Sequence, residues 1–297
     1  MGGRALIVGG TGMLGAALIR MLNTEYHTMS VSRTLKSTDA AESFNVDICD
    51  RSAVRDMVTR TKPDVIVHCA ALTNVDICEK NYEMALSVNA DSAAYLAESA
   101  APDIKFVYIS TDSVFDGAMG MYSEDDKPNP INNYAMSKLE GERQVRKSAG
   151  DYLILRSNII GHRHTREDSL AEWVARSLRS GIPINMFTDV IFAPLDIMTY
   201  AGFIMRLIRS GLTGCLHLGA RDGVSKYDLG CRIARRLGLD PALITPKSID
   251  EERFTARRPK NTTLDVSRAE KMLGPMPYID EELDKWCKED KIWIAVG

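Results

Sequence analysis

The chain lacks paired cysteines, clustered metal ligands and an excess of either charge. Its six cysteines form no C-x-x-C pair and no cysteine–histidine cluster with zinc spacing, so we expect reduced thiols, a cytoplasmic location and no metal site. His162 and His164 alternate as ligands on a strand would, but no third ligand accompanies them. The 37 basic and 40 acidic residues give a net charge of −3, which predicts neither nucleic acid nor an acidic membrane as a partner.

A credible targeting or membrane-spanning segment is also missing. The apolar N-terminal stretch is broken by Gly9, Gly10 and Gly12 and has no clear cleavage site, unlike a signal peptide. The apolar region 182–205 carries two prolines and two aspartates, which is atypical of a transmembrane helix. With 45 % hydrophobic and 26 % charged residues over 297 positions, we expect a soluble globular protein that binds a small molecule.

Short apolar runs alternate with helical stretches in the first half of the chain. The patterns predict strands at 5–8, 27–32, 44–46, 65–70, 105–110 and 152–156, and helices at 13–23, 52–61 and 82–101. This alternation predicts an α/β fold with a Rossmann-type doubly wound parallel sheet, whose strands end at one ligand-binding edge. Residues 1–157 are predicted to bind a dinucleotide, and 158–297 to form mainly a smaller, irregular substrate lobe, with a strand near 182–218 returning to the sheet.

A G-x-x-G-x-x-G loop follows the first predicted strand and opens the first helix. The spacing places Gly9 at the turn, Gly12 where the backbone approaches phosphate and Gly15 where the helix packs on the sheet. The helix N-terminus then offers N–H groups to a pyrophosphate. The second strand ends in Ser32 and Arg33, and a guanidinium can pair with a 2′-phosphate. We therefore predict NADPH as the cofactor, with NADH as the alternative.

Tyr134 and Lys138 are four residues apart and would lie on one face of a helix. A nearby ammonium lowers the pKa of a tyrosine, so the phenol is expected to become a usable acid near neutral pH. Ser110 and Thr111 end the preceding strand, where their hydroxyls can reach the same sheet edge. An exposed helical pair is the alternative for Y-x-x-x-K alone, but the upstream glycine loop favours an active site.

Longer strings of residues resemble a known family over almost the whole chain. They are 9–15, 47–50, 70–76, 88–89, 110–117, 134–142, 258–261 and 264–265. With them the chain resembles the extended short-chain dehydrogenase/reductases, and within these the dTDP-4-dehydrorhamnose reductase group. The most specific part is T-D-x-V-F-D-G together with Y-x-x-x-K-x-x-G-E.

This resemblance implies an NADPH-dependent reductase of a 4-keto-6-deoxy nucleotide sugar. Tyr134 would protonate the ketone oxygen, Thr111 would hydrogen-bond it, and Lys138 would bind the nicotinamide ribose and tune Tyr134. The implied cofactor-binding positions, besides Tyr134 and Lys138, are Gly9, Thr11, Gly12, Met13, Leu14, Gly15, Ser32, Arg33, Asp47, Ile48, Cys69, Ala70, Ala71, Asn89 and Ser110. The implied substrate-binding positions are Thr73, Val75, Ser113, Phe115, Asn158 and Arg258.

Two departures from the family pattern concern the sugar. The group usually has an aromatic residue where this chain has Ser113 and a tryptophan where it has Asn158, so another 6-deoxy sugar or a UDP or GDP carrier stays open. A nucleotide-sugar epimerase or dehydratase is disfavoured, because the chain lacks Thr-Asp-Glu and Ser-Ser-x-x-Val-Tyr-Gly. A second alternative is a non-catalytic NADP-binding regulatory subunit that resembles the methionine adenosyltransferase β-subunit. A homodimer also stays open.

Overall fold

The computed structural model describes residues 2–34, 38–162 and 168–296. Its strands are β1 Arg4–Val8, β2 His27–Ser32, β3 Glu42–Asn45, β4 Val65–His68, β5 Lys105–Ile109, β6 Asp151–Ser157, β7 Ile159–Ile160, β8 Ile184–Phe187, β9 Ile191–Phe192, β10 Leu195–Asp196, β11 Gly214–Leu218, β12 Val224–Ser225 and β13 Ile244–Lys247. Its α-helices are α1 Met13–Leu22, α2 Arg51–Thr61, α3 Val75–Lys80, α4 Tyr82–Leu86, α5 Ser92–Ser99, α6 Asn133–Ser148, α7 Leu170–Arg179, α8 Ile197–Ser210, α9 Lys226–Leu237, α10 Ser267–Leu273 and α11 Ile279–Val296.

A central sheet of seven strands organises the molecule. Its order is β11-β6-β5-β4-β1-β2-β3, and every neighbouring pair is parallel. Strand order reverses between β1 and β4, so the two halves of the sheet wind in opposite directions from that point. The predicted doubly wound Rossmann-type sheet is therefore confirmed.

Helices cover both faces of this sheet and bury its apolar strands. One hydrophobic cluster joins the sheet to α1, α7 and α8, and the other joins it to α2, α5 and α6. Strand β4 is buried along its whole length, as a continuous apolar run in a parallel sheet should be. Because both faces are covered, the edge formed by the strand ends is left for a ligand.

A π-helical turn interrupts the helix predicted over 82–101. The turn spans Ser87–Asp91 between α4 and α5, and the backbone stays helical through it. The predicted helix is therefore present, but it contains a π-bulge and ends at Ser99. Its buried Asn89 side chain accepts a hydrogen bond from the Leu72 amide at 2.8 Å and donates to the Ser137 hydroxyl at 2.9 Å. The turn thus places a polar amide between the β4 end and α6, where it satisfies buried backbone groups.

The second half of the chain contributes one strand to the sheet and a more irregular lobe. Strand β11 pairs with β6, while β7 with β10, β8 with β13 and β9 with β12 form separate two-stranded sheets. Trp286 of the last helix, α11, is completely buried, and the Trp286 ring stacks on His162 with 4.6 Å between ring centres. Among the residues described, no helix combines the length and the apolar character that crossing a membrane requires.

Candidate active site

The ends of β1, β2, β4, β5 and β6 open on one cavity of about 890 Å³. Most of the predicted site residues line it: Gly9, Thr11, Gly12, Met13, Leu14, Ser32, Arg33, Asp47, Ile48, Cys69, Ala70, Ala71, Thr73, Ser110, Thr111, Tyr134, Lys138 and Asn158. These positions are distant in sequence and meet because every strand of the sheet points the same way. The cavity therefore joins the glycine loop to the tyrosine–lysine pair.

The glycine loop is shaped by contacts that a side chain would prevent. Gly9 has a φ of 89°, and a Cβ there would lie 2.7 Å from the Ala70 nitrogen. A Cβ on Gly15 would lie 2.6 Å from the Gly10 Cα and closer still to the Gly9 carbonyl oxygen. Exposed Gly12 precedes α1 and has no side chain that could cap it. The first N–H groups of α1 can thus bind an anion in the cavity, as a pyrophosphate site requires.

At the end of β2, a cationic side chain borders the cavity. Arg33 is exposed and lines it, beside Ser32, whose hydroxyl donates to the Thr34 carbonyl oxygen at 2.7 Å. The nearby Asp47 carboxylate accepts a hydrogen bond from the Cys49 amide at 3.0 Å. An exposed guanidinium in this place can bind a phosphate group of a cofactor.

Helix α6 places Tyr134 and Lys138 on the cavity wall. The Asn132 side chain caps the helix by accepting from the Ala135 amide at 2.9 Å. The Lys138 ammonium donates to the Ile109 carbonyl oxygen at 2.7 Å and lies 4.1 Å from the centre of the Tyr108 ring. Lys138 is only 2 % exposed, so its charge is held by the strand end and an aromatic face rather than by water.

Burial controls the protonation of this pair. It raises the pKa of Tyr134 to about 12, although the Thr111 hydroxyl acts in the opposite direction. Burial also lowers the pKa of Lys138 to about 7, and the Glu142 carboxylate opposes that change. The prediction of a lowered tyrosine pKa is therefore wrong, because desolvation dominates and the nearby Asp112 and Cys78 raise the pKa further. At neutral pH Tyr134 carries its proton, while Lys138 is close to losing one.

A buried carboxylate supports the threonine at the end of β5. The Thr111 hydroxyl donates to the Asp112 carboxylate at 3.1 Å. Asp112 is 1 % exposed and also accepts from the Thr262 hydroxyl at 2.6 Å and the Asn158 amide at 3.2 Å. Burial raises the pKa of Asp112. We did not predict Asp112 as a site residue, although its position directly after Thr111 in the T-D string is a usable signal.

Six of the predicted positions do not line the cavity. They are Gly15, Val75, Asn89, Ser113, Phe115 and Arg258. Phe115 is fully buried and stacks on Tyr122 with 4.3 Å between ring centres. Arg258 pairs with Asp76 at 2.8 Å. The roles assigned to these positions stay predictions.

Other residues that line the cavity were missed. They are Val31, Val46, Cys49, Val88, Ile109, Ser157, Ile159, Ser169 and Leu170. Several adjoin a predicted position and could have been found by extending each strand end. Ser169 caps α7 and Leu170 begins it; the sequence pattern predicts a helix at 170–180 but does not indicate that its start faces the cavity. In the part of the chain that the structure describes, no group of three or more His, Cys, Asp or Glu side chains could hold a metal ion, and His164 lies outside it.

Known proteins share both this sequence and this fold. The family model of the RmlD substrate binding domain matches residues 3–291. A probable low-salt glycan biosynthesis reductase of Haloferax volcanii, Agl14, is 34 % identical over 286 residues, which cover 94 % of this chain and 95 % of that one. Methionine adenosyltransferase 2 subunit beta of Danio rerio is 31 % identical over 284 residues, which cover 91 % of this chain and 85 % of that one. The crystal structure of a Bacillus anthracis dTDP-4-dehydrorhamnose reductase in complex with NADP superimposes with a TM-score of 0.88 at 29 % identity, covering 97 % of this chain and 100 % of that one.

Proposed function

Because the chain belongs to the RmlD substrate binding domain family, we propose that it is an NADPH-dependent reductase of a 4-keto-6-deoxy nucleotide sugar. One observation carries this assignment: Thr111, Tyr134 and Lys138 share a cavity with the glycine loop. The Haloferax relative is described as a reductase, and the Bacillus structure as a reductase in complex with NADP. A nucleotide-sugar oxidoreductase is the class of enzyme that unites these features.

The residues of the cavity fit a nicotinamide dinucleotide. A side chain at Gly9 would clash with Ala70, so the loop keeps a bare backbone there, and the uncapped start of α1 suits the pyrophosphate. Arg33 would bind the 2′-phosphate and Asp47 with Ile48 would hold the adenine, while residues 69–71 would border the middle of the molecule. When bound, the reduced cofactor supplies a hydride to the carbonyl carbon.

Tyr134 and its neighbours would provide the proton for the same reaction. Tyr134 holds its proton at neutral pH and would donate it to the ketone oxygen, which becomes the hydroxyl of the product. The Thr111 hydroxyl would bind that oxygen after turning from Asp112, and so orient the carbonyl group. The Lys138 ammonium would hold the nicotinamide ribose and stabilise the phenolate that Tyr134 becomes after it donates its proton.

The sugar would bind beside Asn158 and Thr73, which line the same cavity as Thr111. Asn158 donates to Asp112, so this wall of the pocket is polar where the family usually has a tryptophan. We infer that residues 1–157 bind the cofactor and that most of 158–297 binds the sugar nucleotide, with β11 completing the sheet. A cytoplasmic location and a homodimer stay predictions.

A regulatory subunit is the second candidate, because a methionine adenosyltransferase β-subunit is 31 % identical to this chain. Such a subunit would bind the cofactor without turnover. The test is to incubate the purified protein with NADPH and a panel of 4-keto-6-deoxy nucleotide sugars on dTDP, UDP and GDP carriers, and to follow the absorbance of the reduced cofactor. Oxidation coupled to one ketone supports the reductase. NADPH binding with no oxidation by any member of the panel favours the regulatory subunit.

We expect Arg33→Ala to weaken NADPH binding by about 10–100-fold, because charged hydrogen bonds of this kind contribute about 1.5–3 kcal/mol. NADH has no 2′-phosphate, so its affinity should change little. Cofactor fluorescence titrations with both dinucleotides measure the ratio of the NADPH affinity to the NADH affinity. Arg55→Ala on the exposed face of α2 is the matched control and should bind both as the parent does. An equal loss for NADPH and NADH would contradict the assignment of Arg33 to the 2′-phosphate.

A further inference from the structure

The buried carboxylate of Glu142 has no part in the reaction as described so far. Tyr134, Lys138 and Glu142 are spaced by four residues along α6 and therefore lie on successive turns of one helix face. Glu142 is 0 % exposed. A carboxylate is rarely buried so completely unless its charge is compensated, so its partners show what it does.

Glu142 connects α6 to two strands of the sheet below the site. Its carboxylate accepts from the Ser110 hydroxyl at 2.6 Å and from the Arg156 guanidinium at 2.8 and 2.7 Å. Arg146, one turn further along α6, adds a contact at 3.1 Å. Ser110 follows β5 and Arg156 lies in β6, so this carboxylate fixes the helix against both strands.

The lysine and the glutamate contact consecutive residues at the end of β5. Lys138 donates to the Ile109 carbonyl oxygen at 2.7 Å, and Glu142 accepts from the side chain of the next residue, Ser110. Two successive turns of α6 are thereby held in register with this strand end. A shift of Glu142 would carry the Lys138 ammonium with it.

Among the titratable groups that face Lys138, Glu142 compensates the charge of the ammonium. His68 ends β4, and burial lowers its pKa to about 3. Cys69 follows it, and burial raises the pKa of its thiol to about 12. The Tyr108 ring of β5 lies under the ammonium, and burial raises the pKa of its hydroxyl well above the usual value. These three groups are neutral near pH 7, and so is Tyr134 of α6. Of the groups named here, only Glu142 is an anion that favours the charged lysine.

We propose that Glu142 is a positioning residue that keeps the Lys138 ammonium charged and fixed against the end of β5. This inference rests on the proposed function, since it gives the lysine its role toward the cofactor. Arg156 and Arg146 in turn compensate the carboxylate, which lets an anion remain buried beside the site. A purely structural ion pair would stabilise the fold without affecting the titration of the lysine.

The sign of the expected pH effect follows from these charges. The pKa of Lys138 already lies near 7, below its usual value, and Glu142 holds it up against burial. Removing the negative charge lowers that pKa further, so the ammonium is lost at a lower pH. Any property that needs the ammonium should then disappear at lower pH than in the parent protein.

The experiment measures NADPH binding by cofactor fluorescence from about pH 5 to about pH 10, alongside thermal unfolding. For Glu142→Gln we expect the alkaline midpoint of binding to move down by about one pH unit, equivalent to about 1.4 kcal/mol of lost charge stabilisation. Because this change leaves Arg156 buried without its anion, Glu142→Gln/Arg156→Gln removes both charges and tests the pair without a stranded cation. Its midpoint should also move down, but by less than in Glu142→Gln, because the loss of the Arg156 cation favours the charged lysine. Arg146→Gln, whose side chain is 35 % exposed, should move the midpoint up.

Arg143→Gln is the control on the same helix, since Arg143 pairs with Glu140 at the surface, and its midpoint should match the parent. An unchanged midpoint in Glu142→Gln, with lowered thermal stability alone, would overturn the inference. So would a parent protein whose NADPH binding shows no alkaline loss in this range, or an Arg146→Gln midpoint that does not rise. None of these readouts needs a sugar substrate, so failure of the reductase assignment is distinguished from failure of this one.

Discussion

Tyr134→Phe is expected to lower kcat on the accepted keto sugar by about 10²–10⁴-fold, the range that a positioned general acid contributes. The change removes one hydroxyl from a side chain that lines the cavity and leaves the ring in place. NADPH affinity should stay near that of the parent protein, because the glycine loop and Arg33 do not contact this hydroxyl in our assignment. Single-turnover oxidation of NADPH, with a separate binding titration, measures the two effects.

Tyr82→Phe is the matched control, since Tyr82 lies exposed at the start of α4 and should turn over as the parent does. Near-native turnover by Tyr134→Phe would show that another group donates the proton. The pKa of Tyr134 near 12 adds a second expectation. Any loss of activity just above neutral pH should follow Lys138 rather than the phenol, because the phenol keeps its proton there.

Gly15→Ala is expected to damage both the fold and the cofactor site. The added Cβ would lie 2.6 Å from the Gly10 Cα and even closer to the Gly9 carbonyl oxygen, which are backbone atoms that cannot rotate away. Overpacking of this kind costs about 1–3 kcal/mol in the free energy of unfolding, more than the helix propensity gained from alanine. The loop must shift to relieve the clash, so we expect NADPH affinity to fall by at least about tenfold, equivalent to about 1.4 kcal/mol.

The same substitution elsewhere provides the comparison. Gly202 lies inside α8, and a Cβ there would meet only the Met21 methyl at 3.6 Å, an ordinary contact. Gly202→Ala should therefore leave cofactor binding intact and stabilise the helix slightly. Urea unfolding and NADPH titration on both variants separate the effects. A Gly15→Ala protein as stable as Gly202→Ala would show that α1 can move away from the loop without penalty.

The features of this molecule that depend on residues close together in the sequence could be predicted from the sequence. The alternation of apolar runs and helical patterns predicted the doubly wound sheet, and the glycine spacing placed Gly9 and Gly15 where a Cβ would clash with backbone atoms. The cavity includes most of the site positions that the family resemblance implied. The sheet and the glycine loop needed only local patterns and the rule that parallel strands end at one edge, whereas most of the site positions came from the family resemblance.

Features that depend on burial or on distant partners were beyond the sequence. Asp112 is bound by Thr262, which follows it by 150 residues, and no local pattern joins the two. The sequence predicted that Tyr134 and Lys138 lie on one wall of the site. The direction of the tyrosine pKa shift depends on desolvation, which only the three-dimensional structure reveals. Phe115 belongs to a motif string, yet its ring packs inside the core on Tyr122.

The pairing of β6 with β11 also affects how the chain can fold during synthesis. Strand β6 is buried from Leu153 to Ser157, and β11 is encoded much later in the chain. Until Gly214–Leu218 leaves the ribosome, β6 is the bare edge of a parallel sheet, with unpaired backbone groups and an apolar face. Residues 1–157 therefore cannot finish the seven-stranded sheet by themselves, and a nascent chain that stalls before β11 should need a chaperone to avoid pairing with another copy.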